Sequence, residues 1–126
     1  MRIASRPGVI GRIAKFHLLS SYGCDVGSGA QVGPGILLPH PNGIVIGMGV
    51  VIEARTHIYQ GVTLGANSRG EYPVIESDVK LYPGAMVTGR VRVGAGARIG
   101  AGAFVYDDVA PGVTVRGPRS DASGTV

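Results

Sequence analysis

The chain has 126 residues, 22 of them Gly, and is 44% hydrophobic but only 16% charged, with no Trp, two Phe and eight Pro. That much glycine with so few aromatics excludes a helical bundle, because each Gly weakens a helix interior by about 1 kcal/mol. The apolar share excludes a disordered chain, and Gly does not fall at every third position as collagen requires.

Twelve Lys plus Arg against eight Asp plus Glu leave a net charge of +4. This modest surplus suits an anionic small molecule. No basic run with interleaved aromatics marks a nucleic-acid surface, so no nucleic-acid partner is expected. One domain is expected at this length.

In chain order, residues 8–21 place Val9, Ile10, Ile13, Ala14, Phe16 and Leu18 on one face of a short amphipathic helix. Residues 1–23 are predicted to form an N-terminal cap that covers the open strand edge of the adjoining repeat region. Arg2, Arg6, Arg12, Lys15 and His17 interrupt this segment, so it has no signal-peptide core. No apolar run approaches the roughly 20 residues of a membrane span, and a cytoplasmic location is expected. The single cysteine, Cys24, forms no intrachain disulfide and reads as a small buried hydrophobe.

From Val26 onward aliphatic residues recur every six positions, in three blocks. The first is Val26, Val32 and Leu38. The second, after a shift of two, is Ile46, Ile52, Ile58 and Leu64. The third, after a longer insertion, is Ile75, Leu81, Val87, Val93, Ile99 and Val105. Four residues beyond these sit small or aliphatic side chains: Ala30, Ile36, Val50, Val62, Val79, Ala85, Val91, Ala97, Ala103 and Val109. Gly often follows the periodic residue directly, as at Gly27, Gly33, Gly47, Gly65, Gly94 and Gly100. A period of six fits neither a helix nor a long alternating strand. It fits short strands joined by tight turns and stacked as a parallel β-helix, with the aliphatics piled into an inner column.

Two interruptions of the period mark surface insertions, where binding concentrates in such solenoids. Residues 39–43 (PHPNG) hold His40 between two prolines, which restrict the backbone around the imidazole. Residues 65–74 (GANSRGEYPV) are rich in turn formers and form an inserted loop. The polar tail 119–126 is expected to be frayed. His57, last in its hexad, is expected to face solvent or a neighbouring subunit.

The stretches DVGSGAQVGPGILLPHPNGIVIG, IYQGVTLG and VGAGARIGAGAFV resemble the serine acetyltransferases, a branch of the hexapeptide-repeat superfamily. The resemblance covers residues 24–118. It implies an all-β, left-handed parallel β-helix, although parallel crossovers in general are right-handed in about 98% of cases. It further implies a homotrimer with active sites between subunits, acetyl-CoA as co-substrate, no metal, and a small acceptor bearing a hydroxyl.

In that family a His in the first interruption is the general base, and an Asp fifteen residues earlier orients it. The matching residues here are His40 and Asp25. Histidine titrates near neutrality and suits removal of a hydroxyl proton, and a carboxylate on its other nitrogen fixes the tautomer. The positions matching the family's CoA contacts are Ala66, Pro83, Arg98 and Ala101, with Arg90, Arg92 and Arg116 as further candidates for the phosphates. Gln60, Glu71 and Tyr72 fall on the acceptor side.

Departures from the family concern that acceptor. Pro39 replaces the family's Asp before the catalytic His, and Glu71 and Tyr72 stand before Pro73 where the family has Arg and His. A Glu in place of the carboxylate-binding Arg makes a sugar or nucleotide sugar as fitting an acceptor as serine. Two rival readings remain. A zinc-dependent carbonic anhydrase on this fold needs three converging His ligands, which the spacing of His17, His40 and His57 does not suggest. A non-catalytic β-helix that binds or scaffolds would not require the Pro-bracketed His.

Overall fold

The computed structural model describes residues 22–120. All but the end of the expected cap over 1–23, and the tail from 121 on, lie outside the described residues. Within them, thirteen short strands occur in chain order: β1 (Asp25–Val26), β2 (Gln31–Val32), β3 (Val45–Ile46), β4 (Val51–Ile52), β5 (His57–Ile58), β6 (Thr63–Gly65) and β7 (Val74–Ile75), then β8 (Lys80–Leu81), β9 (Met86–Thr88), β10 (Arg92–Val93), β11 (Arg98–Ile99), β12 (Phe104–Val105) and β13 (Thr114–Val115).

Three parallel sheets form the faces of a prism. The first face is β1-β3-β6-β9-β12, the second β2-β4-β7-β10, and the third β5-β8-β11-β13. The chain visits the faces in rotation and rises one strand per circuit. Its turns therefore stack along three edges, here called the loop edge (first to second face), the far edge (second to third) and the return edge (third back to first).

Side chains alternate across each strand, so the first residue points outward and the second inward. Register then stacks like on like. Ile46, Leu64, Val87 and Val105 are successive partners on the first face, and Ile52, Ile75 and Val93 on the second. Ile58, Leu81, Ile99 and Val115 stack in the same way on the third. Every periodic aliphatic from Val32 to Val105 is buried, and only Val26, at the start of the first coil, is partly exposed. Cys24 is buried as expected, its Sγ 3.8 Å from the Tyr22 carbonyl oxygen. Thr56 takes a corner slot that elsewhere holds Val, Ala or, at Ile36, Ile. It is fully buried because its hydroxyl reaches the carbonyls of Glu53 and Glu76, at 3.2 and 3.3 Å.

The last coil departs from the sequence period. The period places Val109 at a corner, but it forms a parallel bridge with Val93 on the second face. The corner before it is shortened, and the Asp108 carboxylate there accepts the Arg92 N–H at 2.8 Å.

The far edge carries a paired charge. Its turns need a left-handed residue, supplied by Gly35 and Gly96 but by Arg55 (φ 59°) and Asp78 (φ 62°) between them. A non-Gly residue there costs roughly 1–2 kcal/mol. The two side chains join across neighbouring coils, Arg55 Nε and Nη2 donating to the two Asp78 oxygens at 2.8 and 3.0 Å. The hydrogen bond from Arg55 holds the Asp78 carboxyl below the usual carboxylate range, against a smaller opposing effect of burial. A depressed folded-state pKa stabilises the fold above the ordinary carboxylate range, and this is lost as pH falls through the lowered value. Asp78→Asn should therefore lower the melting temperature at neutral pH, with the difference from wild type closing in acid and shrinking in high salt. An equal difference at all pH values would rule the ion pair out as its source.

Candidate active site

The return edge gathers four of the residues singled out in the sequence. His40 lies on its first turn, Gln60 on its second, Pro83 on its third and Ala101 on its fourth. Backbone hydrogen bonds tie these turns into one ladder: the Gly61 N–H donates to Asn42 O at 2.9 Å, Gly84 to Gln60 O at 3.0 Å, and Gly102 to Pro83 O at 3.0 Å. The donors have φ of 69°, 72° and 70°, which favours Gly at each position. A Cβ on Gly61 or Gly84 would meet only the next glycine of the column. Along the edge the glycine column is thus a strip of exposed backbone that runs from beside His40 to Gly102, next to Ala101. A narrow, flexible chain with amide groups fits such a strip.

His40 is exposed at one end of the strip, its backbone fixed by Pro39, Pro41 and a hydrogen bond from Asn42 N–H to its carbonyl at 2.8 Å. Its imidazole packs on Tyr59, with ring centroids 6.5 Å apart and planes at 45°. Tyr59 stacks in turn on Tyr82, at 5.4 Å and 20°. Asp25 is exposed at the outward position of β1 on the first face, the face that the His40 turn enters. Among the described residues no side-chain hydrogen bond joins it to His40. Arg98 projects outward from β11 on the third face, beside the far end of the strip.

Ala66, Glu71 and Tyr72 lie elsewhere, on the loop edge. Asn67 ties their loop together: its Oδ1 accepts the N–H groups of Arg69 and Glu71, both at 3.0 Å, and its Nδ2 donates to Glu71 Oε1 at 3.0 Å. The Tyr72 ring lies flat on the preceding coil, where a Cβ at Gly47 or Gly49 would overlap it. Asn67→Ala should cost about 1–3 kcal/mol, the scale of three lost hydrogen bonds, and should speed amide exchange at Arg69 and Glu71 while leaving β7 unchanged. Unaltered exchange at those two amides would show that the loop is held by Tyr72 and by its backbone hydrogen bonds, Asn67 N–H to Glu71 O and Gly70 N–H to Asn67 O, without the Asn67 side chain.

Two features escape a reading of the sequence, the aromatic column and the Asn67 lock. The column has a signal: Tyr59 and Tyr82 follow Ile58 and Leu81 directly, in the slot that Gly holds at Gly33, Gly47, Gly65, Gly94 and Gly100.

A six-residue repeat wound three to the coil defines a hexapeptide-repeat protein, and residues 72–107 match the family model for the bacterial transferase hexapeptide (six repeats). A serine acetyltransferase from Buchnera aphidicola is 39% identical over 100 residues, which cover 76% of this chain and 38% of that one. A Neisseria gonorrhoeae serine acetyltransferase in complex with serine superposes with a TM-score of 0.75 at 33% identity, covering 83% of this chain and 44% of the other. A serine acetyltransferase in complex with CoA gives 0.76 at 32% identity, covering 86% and 46%. The chain belongs to the hexapeptide-repeat superfamily, as a serine acetyltransferase-like member with the left-handed β-helical fold. It spans less than half the length of these relatives.

Proposed function

We propose that this chain transfers an acetyl group from acetyl-CoA to a hydroxyl of a small acceptor, serine or a sugar, with His40 as general base and Asp25 as the carboxylate that orients it. The observation that carries the reading is the return edge, where an exposed, Pro-bracketed imidazole stands at the end of a bare backbone strip. Kinship with serine acetyltransferases, one of them solved with CoA and one with serine, supports the two substrates.

The pantetheine arm lies along Gly61, Gly84 and Gly102, past Pro83 and Ala101, with Arg98 available to the phosphates. His40 takes the proton of the acceptor hydroxyl, and the oxygen attacks the thioester carbonyl. The C–S bond breaks, and the imidazolium returns its proton to the departing thiolate. No covalent acyl-enzyme forms. Asp25 closes on the other ring nitrogen when the substrates are bound, since catalytic hydrogen bonds tighten in the complex.

Ala66, Glu71 and Tyr72 join Gln60 and His40 in one site only if two chains meet, because the loop edge and the return edge are separated by the whole first face. Three of its five outward strand-leading residues are exposed apolar side chains, Val45, Met86 and Phe104, at 40, 39 and 55%, beside Asp25 and Thr63. Both features support a homotrimer with its sites in the clefts between subunits.

The test is free-thiol release from acetyl-CoA by the purified protein, with L-serine and separately with a panel of sugars and nucleotide sugars. Release with serine makes Glu71 a tolerated replacement for the family's Arg. Release with a sugar alone makes the protein a sugar O-acetyltransferase. Failure of every acceptor together with failure to bind acetyl-CoA would leave a non-catalytic β-helix.

A further inference from the structure

We infer that Tyr59, braced by Tyr82, is the positioning residue that sets the orientation of the His40 imidazole; the inference rests on His40 being the base. A general base must point its nitrogen at the proton it takes, within hydrogen-bond reach. The two prolines and the Asn42 hydrogen bond fix the His40 backbone, but they leave the side-chain torsions free. Among the described residues the imidazole makes no side-chain hydrogen bond. The Tyr59 ring is the group it packs against, at a separation within the 4.5–7 Å range of interacting ring pairs.

Tyr59 is itself held. It is half-buried, its N–H donates to Leu81 O at 3.0 Å, and its ring lies almost parallel to Tyr82 one coil along. Tyr82 is anchored likewise, its N–H donating to Ile99 O at 2.9 Å. Orientation therefore passes from the packed coils through Tyr82 and Tyr59 to an otherwise exposed ring. The sequence supports a dedicated arrangement. On the return edge an aromatic follows the inward aliphatic in two successive coils, whereas Gly100 holds that slot in the next. Tyr59 makes these contacts through its ring and its backbone, so phenylalanine should replace it.

The test uses the full chain and needs no acceptor for its first arm. In aromatic NMR spectra, the His40 ring protons should show a ring-current displacement that disappears in Tyr59→Leu, persists in Tyr59→Phe and weakens in Tyr82→Leu. Unchanged His40 signals in a folded Tyr59→Leu would overturn the inference. In the second arm, with acetyl-CoA and whichever of L-serine or the sugars releases thiol, kcat should fall about tenfold in Tyr59→Leu. KM for acetyl-CoA should stay within about twofold, and Tyr59→Phe should restore the rate. A rise in KM with kcat unchanged would make Tyr59 a wall of the acetyl-CoA strip and refute the positioning role. Should Tyr59→Leu fail to fold, Tyr59→Phe and Tyr82→Leu still decide, since loss of the displacement in the first, or full retention in the second, contradicts the chain of contacts. Failure of the parent reading looks different: His40→Ala would then keep its activity, with the ring displacement of wild-type His40 intact.

Discussion

His40→Ala should lower acetyl transfer by about 10²–10⁴-fold, the usual contribution of a positioned general base, while leaving the unfolding transition within about 0.5 kcal/mol of wild type. The small cost in stability comes from placement. His40 is exposed on an edge turn, and the inward residues on either side of it, Leu38 and Ile44, stay buried without it. The turn keeps its own bonds, since both the Asn42 N–H donation to the carbonyl of residue 40 and the Gly61 N–H donation to Asn42 involve backbone alone. Acetyl-CoA should bind almost unchanged, because the strip of Gly61, Gly84 and Gly102 does not involve the imidazole. Turnover by thiol release, binding by calorimetry and unfolding in urea separate the three quantities. Loss of acetyl-CoA binding with an intact fold would make His40 a binding residue and move the base elsewhere; undiminished turnover would end the proposed mechanism.

The six-residue period makes the fold legible because a β-helix imposes one geometric demand on every coil. One residue in six must point inward at each face, and that slot accepts only an aliphatic of suitable size. Leu64 and Ile75 keep the slot even though a loop intervenes, which is why the period can be picked up again after it. The last coil is less legible, because its corner is shortened and Asp108 replaces a backbone turn, a substitution that hydropathy does not register.

The site is legible where chemistry is local in sequence and obscure where stacking creates it. The Pro-bracketed His40 stands out in five residues. The contacts of His40 with Tyr59, and of Tyr59 with Tyr82, join side chains one coil apart, and only the register of successive turns brings them together. Glu71 shows the reverse. Its place in the loop suggests contact with an acceptor, but its carboxylate bonds to Asn67 four residues earlier, a local tie that loop composition does not reveal.

The largest expected loss of stability comes from the inner column. Ile75→Ala should destabilise the chain by about 2–5 kcal/mol, whereas the adjacent Val74→Ala should cost about 1 kcal/mol or less. Ile75 is fully buried between Ile52 and Val93, its register partners on the coils to either side. Truncation leaves a cavity that the neighbours cannot fill, since each is held by its own backbone bonds: Glu53 N–H to Ile75 O at 2.8 Å on one side, Glu76 N–H to Val93 O at 2.9 Å on the other. Val74 points outward and is only half-buried. A solenoid derives its stability from contacts between successive coils, so the cavity weakens two interfaces at once. It does so directly after the 65–74 loop, whose last residue is Val74. Urea unfolding of both variants, with their m-values compared to wild type, measures the difference. Equal losses at 74 and 75 would contradict the inward–outward alternation on which the assignment of every outward residue, Asp25 and Arg98 included, depends.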